Sequence, residues 1–223
     1  MSNELVPFSM DNMPVVSDEE IGALENVASS SNYLQRVQLV TSGKYVNHGK
    51  CLPGRWVIAQ GDDCTVLAES IDVLPIAVRN KATDMKDRSN VISNYDNTSD
   101  EFNRIKNAPK GSDCMWGQSY LVIERSTGEM FELFFGNASG RQESDKLKPF
   151  LPRANRQARP ATLNIKFRTG GKHEYHVPVI VKCSEPFTSG PTVPEMVAAK
   201  EKFMNPPVDE VEVEEAETPS RPR

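Results

Sequence analysis

Basic side chains concentrate between residues 137 and 182, where ten lysines and arginines stand against three acidic residues. Within this segment Arg153, Arg156 and Arg159 follow one another at three-residue spacing between Pro152 and Pro160. The stretch has few apolar side chains to bury, so it is expected to form a surface loop. Cations spaced along a loop can follow the phosphates of a nucleic-acid backbone. The spacing therefore predicts a phosphate-binding loop.

Grooves that bind single-stranded nucleic acid combine cations with aromatic rings, on which the bases stack. The candidate phosphate-contacting residues share a positive charge and lie in the basic segment: Arg141, Lys146, Lys148, Arg153, Arg156, Arg159, Lys166, Arg168 and Lys172. The candidate stacking residues are Trp116, Tyr120, Phe167 and Tyr175, with Trp56 ranked behind them. The competing interpretation is an ordinary solvated loop with its aromatic residues in the core.

Charge is divided unevenly along the chain, whose formal net charge is -5. Residues 1–30 contain six acidic and no basic residues, and residues 195–223 contain eight acidic and four basic ones. The intervening body is therefore basic, which is typical of a polyanion-binding domain with acidic appendages. Segment 209–217 has six acidic residues in nine. Such a tail can compete with nucleic acid for a cationic groove or contact partner proteins; a solubility role is the alternative.

Metal binding and catalysis have weaker support in the sequence. His48 with Cys51 and His173 with His176 could offer four zinc ligands. However, residues i and i+3 of a predicted strand point to opposite faces, so no metal or other cofactor is expected. The sequence contains no P-loop, G-x-S-x-G or H-E-x-x-H motif. It therefore predicts a protein without enzymatic activity.

The apolar pattern predicts strands with a few short helices. Two hairpins are expected, 119–125 with 129–135 and 161–168 with 172–183, each around a glycine-containing turn. In the second hairpin apolar and polar residues alternate, which places Lys166 and Arg168 on one face. Pro75 within the predicted strand 70–79 indicates an edge strand or a bulge. The predicted helices span about 18–29, 98–106, 140–151 and 194–204.

This pattern predicts a mainly β fold, either an OB-like small barrel or a sandwich. The expected organisation is an acidic N-terminal arm with a short helix (1–30), a basic β-rich core domain (31–188), and a linker, short helix and disordered acidic tail (189–223). Four cysteines without a CxxC pair are expected to be free, mostly buried thiols in a reducing compartment. No signal peptide and no membrane-spanning run are recognised, so a cytoplasmic protein without a membrane partner is expected.

Several stretches resemble an uncharacterised family of tailed-bacteriophage proteins. They are residues 3–8, 31–39, 72–77, 81–82 and 111–151, the last containing the run from Leu133 to Arg141. The resemblance covers roughly residues 1–207 and implies a phage origin and a host-cytoplasm setting, but no activity.

A looser likeness is to phage single-stranded DNA-binding proteins, which pair an OB-type barrel with an acidic C-terminal tail. Tails of the bacterial type end in an acidic run with an apolar tip, whereas residues 218–223 here read Thr-Pro-Ser-Arg-Pro-Arg. That departure puts partner recruitment of that kind in doubt.

The sequence thus predicts a non-enzymatic protein that binds single-stranded nucleic acid, DNA being favoured, and coats or protects it during replication or recombination. Protein partners through the acidic tail and a homo-oligomer are compatible with this prediction. One alternative is a structural or interaction protein, such as a virion component or a host-factor inhibitor. A second alternative is a metal-dependent enzyme acting on nucleotides or DNA.

Overall fold

The structure is a computed structural model that describes residues 34–41, 44–60, 63–84, 100–109, 114–136, 138–170 and 173–204. The predicted arm 1–30 with its helix and the acidic segment 209–217 lie outside these residues. Within them, the secondary structure consists of strands β1 (Arg36–Val40), β2 (Arg55–Gln60), β3 (Asp63–Val66), β4 (Ile71–Asp84), β5 (Cys114–Glu124), β6 (Met130–Phe135), β7 (Ala161–Gly170) and β8 (His173–Lys182), helices α1 (Lys44–Asn47), α2 (Asp100–Lys106), α3 (Ala138–Ser144) and α4 (Val193–Met204), and a 3-10 turn at Lys148–Phe150.

The described strands form one sheet in the order β3-β2-β1-β6-β5-β4-β7-β8. Neighbours pair antiparallel except β1 and β6, which are parallel. The mainly β prediction is therefore confirmed. The OB-like barrel is not confirmed, because the strand order is open and β3 and β8 stand at opposite edges of the described sheet. The sandwich is not seen either, since the described strands belong to one sheet.

Both predicted hairpins are present, as β5 with β6 and β7 with β8. The bulge is also confirmed: the register of β4 against β5 shifts between Pro75 and Ala77. A bulge accommodates proline because the local ladder is already interrupted there. The strand extends beyond the predicted end, to Asp84.

The predicted helix at 140–151 is wrong in its second half. Helix α3 ends at Ser144, and a 3-10 turn follows at Lys148–Phe150. The backbone N–H groups of residues 146–148 donate to carbonyls three residues back rather than four, and Pro149 has no N–H with which to restore the α-helical pattern. Leu147 and Leu151 are nevertheless buried.

The sheet buries side chains on both faces. On one face, Trp56 of β2 donates its indole N–H to the carbonyl of Leu163 in β7 at 3.1 Å. Because β2 and β7 are not neighbours in the strand order, this bond requires the sheet to curl across its own core. On the other face, α4 buries Met196, Ala199 and Phe203 in the same apolar cluster as residues of β4 and β5.

A buried carboxylate, Glu132 of β6, connects four strands. Its Oε1 accepts hydrogen bonds from Lys81 Nζ at 2.7 Å and Ser119 Oγ at 2.6 Å. Arg79 lies 3.5 Å from the same oxygen, and Arg36 lies 3.6 Å from Oε2. Glu132 therefore links β1, β4, β5 and β6 through one side chain. Arg79 also donates to the carbonyl of Phe203, which ties the end of α4 to this cluster.

The cluster shifts the pKa of its buried members. Burial lowers the pKa of Lys81 to about 8, with Glu132 partly opposing the shift. Burial alone raises the pKa of Glu132, but Lys81, Arg36 and Arg79 together hold it well below its ordinary value. Glu132 is therefore charged across the neutral range, and Lys81 loses its proton at mildly alkaline pH.

This arrangement predicts an alkaline rise in stability. Unfolded Lys81 keeps its proton up to about pH 10.5, whereas folded Lys81 releases it near pH 8. The unfolded state then binds more protons between these values, so the free energy of unfolding should increase from pH 8 toward 10. Urea titrations of the Lys81→Met variant should lose this rise, whereas Lys166→Met should retain it. An equal rise in the Lys81 variant would contradict the assignment.

Close backbone approach at Gly117 gives a second prediction. A Cβ atom there would lie 2.0 Å from the carbonyl oxygen of Phe135 on β6. Gly117→Ala should therefore separate β5 from β6 and lower the free energy of unfolding by more than about 3 kcal/mol in urea. Gly49→Ala is the control, since its positive φ costs about 1–2 kcal/mol but a Cβ meets nothing within 4 Å. Equal losses in the two variants would contradict this account.

Candidate nucleic-acid interface

The three regularly spaced arginines form a compact turn. Arg153 and Arg156 exchange two backbone hydrogen bonds, of 2.7 and 2.9 Å, across Ala154 and Asn155. Arg159 donates from its guanidinium to the carbonyl of Pro149 at 2.8 Å. Its backbone N–H also donates to Phe150, at 2.9 Å. We call residues 153–159 the arginine turn; these bonds hold it against the 3-10 turn.

Two of the three guanidinium groups of the arginine turn, those of Arg156 and Arg159, have no carboxylate partner among the described residues. The Nε and Nη2 atoms of Arg156 are buried and have no hydrogen-bond partner among the described residues. Burial lowers the pKa of Arg156, and the neighbouring charges of Arg159 and Arg153 lower it further. An anion at this position would supply the missing acceptor and relieve the repulsion.

Three other predicted phosphate-contacting residues already have partners. Arg141 donates to the carbonyls of Trp116 at 3.0 Å and Gly136 at 2.6 Å, and its guanidinium stacks 4.1 Å from the centre of the Trp116 ring. Lys146 and Lys148 form ion pairs with Glu143 and Asp145, each at 2.8 Å. The structure therefore places Arg141 in a structural role and balances both lysines.

A second basic group lies toward the turn of the β7–β8 hairpin. Lys166 and Arg168 are exposed on one face of β7, and Arg168 pairs with Tyr175 across the hairpin. Phe167 faces the other way and contacts the His176 ring at a centroid distance of 5.3 Å. The side chains of Phe167 and Tyr175 are 51% and 39% exposed, so both rings are accessible for stacking.

The remaining predicted aromatic residues are less accessible. Tyr120 is fully buried and donates its hydroxyl to the carbonyl of Ser144 at 2.7 Å. Trp116 is half-buried between Phe102, Lys106 and Arg141. Trp56 is in the core. Lys172 lies outside the described residues. The structure thus leaves Phe167 and Tyr175 as the stacking candidates.

The predicted residues therefore fall into two groups on one stretch of chain. The arginine turn directly precedes β7, and Lys166 and Arg168 follow five and seven residues after Ala161. At ~3.3 Å per residue Lys166 and Arg168 lie about 16–23 Å along the strand from its start at Ala161. Sequence reasoning did not identify the contact that supports the second basic group. A Cβ on Gly54 would lie 2.7 Å from the His176 ring, so the glycine lets the start of β2 approach this part of the β7–β8 hairpin. No local pattern connects these two residues.

Comparison with known proteins found no matching family model, no matching curated protein and no matching solved structure.

In the part of the chain that is described, no helix is long and apolar enough to cross a membrane. The same residues contain no group of three or more histidine, cysteine or acidic side chains placed to hold a metal ion. All four cysteines are free as expected, but Cys183 alone is buried and the other three are half-buried.

The arginine turn should cost the free protein stability. Arg156→Met removes a guanidinium that is crowded by two like charges and has buried nitrogens without acceptors, so the free energy of unfolding should rise, by up to about 1 kcal/mol. Lys148→Met is the matched control, since it removes an ion-paired cation and should bring no gain. Urea unfolding at low ionic strength measures both. A loss of stability in the Arg156 variant would show that the guanidinium is satisfied in the free protein.

Proposed function

We propose that the protein binds single-stranded nucleic acid, DNA being favoured, through the arginine turn and the exposed end of the β7–β8 hairpin. The arginine turn holds phosphates, and Lys166 and Arg168 contact the backbone further along the same strand of protein. Tyr175 lies opposite Arg168 on the same face of the hairpin and provides a stacking surface worth about 1–3 kcal/mol for one base, whereas Phe167, on the other face, is available to a strand that passes around the end of the hairpin. No bond is made or broken, so the function is one of coating or protecting the strand.

The observation that carries this proposal is the state of Arg156. A guanidinium with two buried nitrogens and no acceptor among the described residues is unfavourable in the free protein. Phosphate oxygens match this donor arrangement, because guanidinium groups bind phosphate through two parallel hydrogen bonds. Arg153 and Arg159 add two further positive charges to the same short turn. The turn is therefore better suited to an anion than to a solvated surface role.

The resemblance to phage proteins implies a host-cytoplasm setting and no activity; coating of a strand there during replication or recombination is part of the proposal. A closed OB-type barrel is not part of the proposal, since the hairpin and the arginine turn can present their side chains from an open sheet. The competitor role of acidic segment 209–217 stays a prediction, because these residues lie outside the described part of the chain.

Binding of a labelled single-stranded oligonucleotide should separate this proposal from its rivals. Affinity should fall steeply between about 50 and 200 mM salt, by about 0.7 log unit per log unit of salt for each phosphate neutralised. Replacing Arg153 and Arg156 together with alanine should weaken binding and reduce the salt slope by about 1.4, the contribution of two phosphate contacts. Fluorescence anisotropy at several salt concentrations measures both quantities.

The matched control removes two positive charges that are already balanced. Replacing Lys146 and Lys148 together with alanine should leave the salt dependence of binding unchanged, because each lysine is paired with an acidic neighbour. Arg159 is kept in both variants, since it supports the turn. A protein that ignores the oligonucleotide in dilute buffer would favour a structural or host-directed role. Equal slopes in the two double variants would remove the arginine turn from the interface.

A further inference from the structure

A cavity lies beside the contact between β1 and β6. The two strands pair in parallel at two positions, Arg36 with Glu132 and Val37 with Leu133. No further pair of these two strands is present among the described residues, and a cavity of about 270 Å³ is lined by residues of both. It is lined by residues of β1, β2, β5, β6, β8 and α3. Its size is just below the ~300–1,000 Å³ typical of small-ligand sites, so it suits one compact molecule.

Polar groups stand on one wall of this cavity. Arg36 and Gln38 of β1 both line it, and the Arg36 side chain is 40% exposed. Within the described residues the Arg36 guanidinium has one charged partner, Glu132 at 3.6 Å. Glu132 is shared with closer partners, Lys81 and Ser119, at 2.7 and 2.6 Å. Arg36 therefore retains most of its capacity to bind an anion.

The electrostatic setting strengthens this preference. Among the described side chains, one carboxylate, Glu132, faces three cations, Arg36, Arg79 and Lys81. The Lys81 ammonium lies 5.5 Å from the centre of the Phe134 ring, and Phe134 lines the cavity. Glu132 is thus shared among several donors, and the Arg36 guanidinium at the cavity wall favours a negatively charged ligand.

The other walls are apolar and aromatic. Trp56, Phe134 and Phe135 contribute rings, and Leu39, Met115 and Pro178 complete the surface. Aromatic and thioether groups favour flat, polarisable ligands. A Cβ on Gly136 would lie 2.5 Å from the Phe134 ring, so glycine is needed for this ring to stay against the β6 end. One wall therefore supplies a cation and an amide, and the rest supply contact for a planar ring.

We propose that this cavity binds a single nucleotide unit, a planar base carrying a phosphate. Arg36 holds the phosphate, the Gln38 amide bonds the edge of the base, and the partly exposed Phe134 ring contacts its face, while the buried Trp56 ring closes the inner end of the cavity. The unit can come from a free mononucleotide or from one nucleotide of a bound strand. The site does not depend on the arginine turn, because its lining residues come from other elements.

Calorimetric titration with 2′-deoxyadenosine 5′-monophosphate tests the site, with 2′-deoxyadenosine as the ligand control. The nucleotide should bind at least about tenfold more tightly than the nucleoside, because only the nucleotide engages Arg36. Arg36→Gln should bring the nucleotide affinity down to that of the nucleoside. Leu39→Trp should fill the cavity and abolish both, whereas Leu52→Trp, the same change at a side chain that is 67% exposed, should alter neither.

Two further measurements show whether the bound nucleotide is free or part of a strand, and whether the cavity acts independently of the arginine turn. If the unit belongs to a strand, Leu39→Trp also weakens oligonucleotide binding; if it is a free nucleotide, oligonucleotide binding is unchanged. The variant lacking Arg153 and Arg156 should bind the mononucleotide normally, so either site can fail without the other. The proposal is overturned if millimolar nucleotide gives no binding heat, if nucleoside and nucleotide bind equally to the native protein, or if folded Leu39→Trp binds like the native chain.

Discussion

One buried carboxylate holds the centre of this fold in register. Glu132 reaches across to cations of β1 and β4 and to the Ser119 hydroxyl of β5, so four strands meet at two oxygen atoms. Removing one partner of such a buried group leaves charge without compensation, at a typical cost of about 3–5 kcal/mol. β1 and β6 pair at only two described positions, so the ion pair between Arg36 and Glu132 supports this contact in place of a long series of backbone hydrogen bonds.

The Glu132 cluster and the arginine turn hold positive charge in different ways. In the Glu132 cluster the cations share a carboxylate inside the sheet, and burial rather than repulsion dominates the pKa of Lys81. In the arginine turn burial is again the first cause of the lowered pKa of Arg156, but here the neighbouring charges are both positive and its buried donors have no acceptor among the described residues. The Glu132 cluster stabilises the fold, and Arg36 at its exposed edge can still bind an anion from the cavity. The arginine turn is costly to the fold alone, which is typical of residues retained for binding.

Local patterns predicted much of the fold, because hairpins, capping signals and proline effects depend on neighbouring residues. Both hairpins, the bulge at Pro75 and helix α4 follow from such signals. The open sheet could not be predicted, since the parallel pairing of Arg36 with Glu132 joins residues that are far apart in sequence. The same limit applies to the sites. The arginine spacing pointed to the turn, but nothing local indicated that Tyr120 is buried or that Arg36 borders a cavity.

Docking of α4 sets a geometric limit on the C-terminal acids. Phe203 is anchored through its carbonyl to Arg79, so the chain leaves the sheet at a fixed point after Met204. Asp209 follows five residues later and Glu217 thirteen residues later. A fully extended chain spans at most ~3.6 Å per residue, which confines Asp209 to within about 18 Å of Met204 and Glu217 to within about 47 Å. Surfaces of the molecule farther from Met204 than these limits are out of reach of the corresponding carboxylates, whatever path the chain takes.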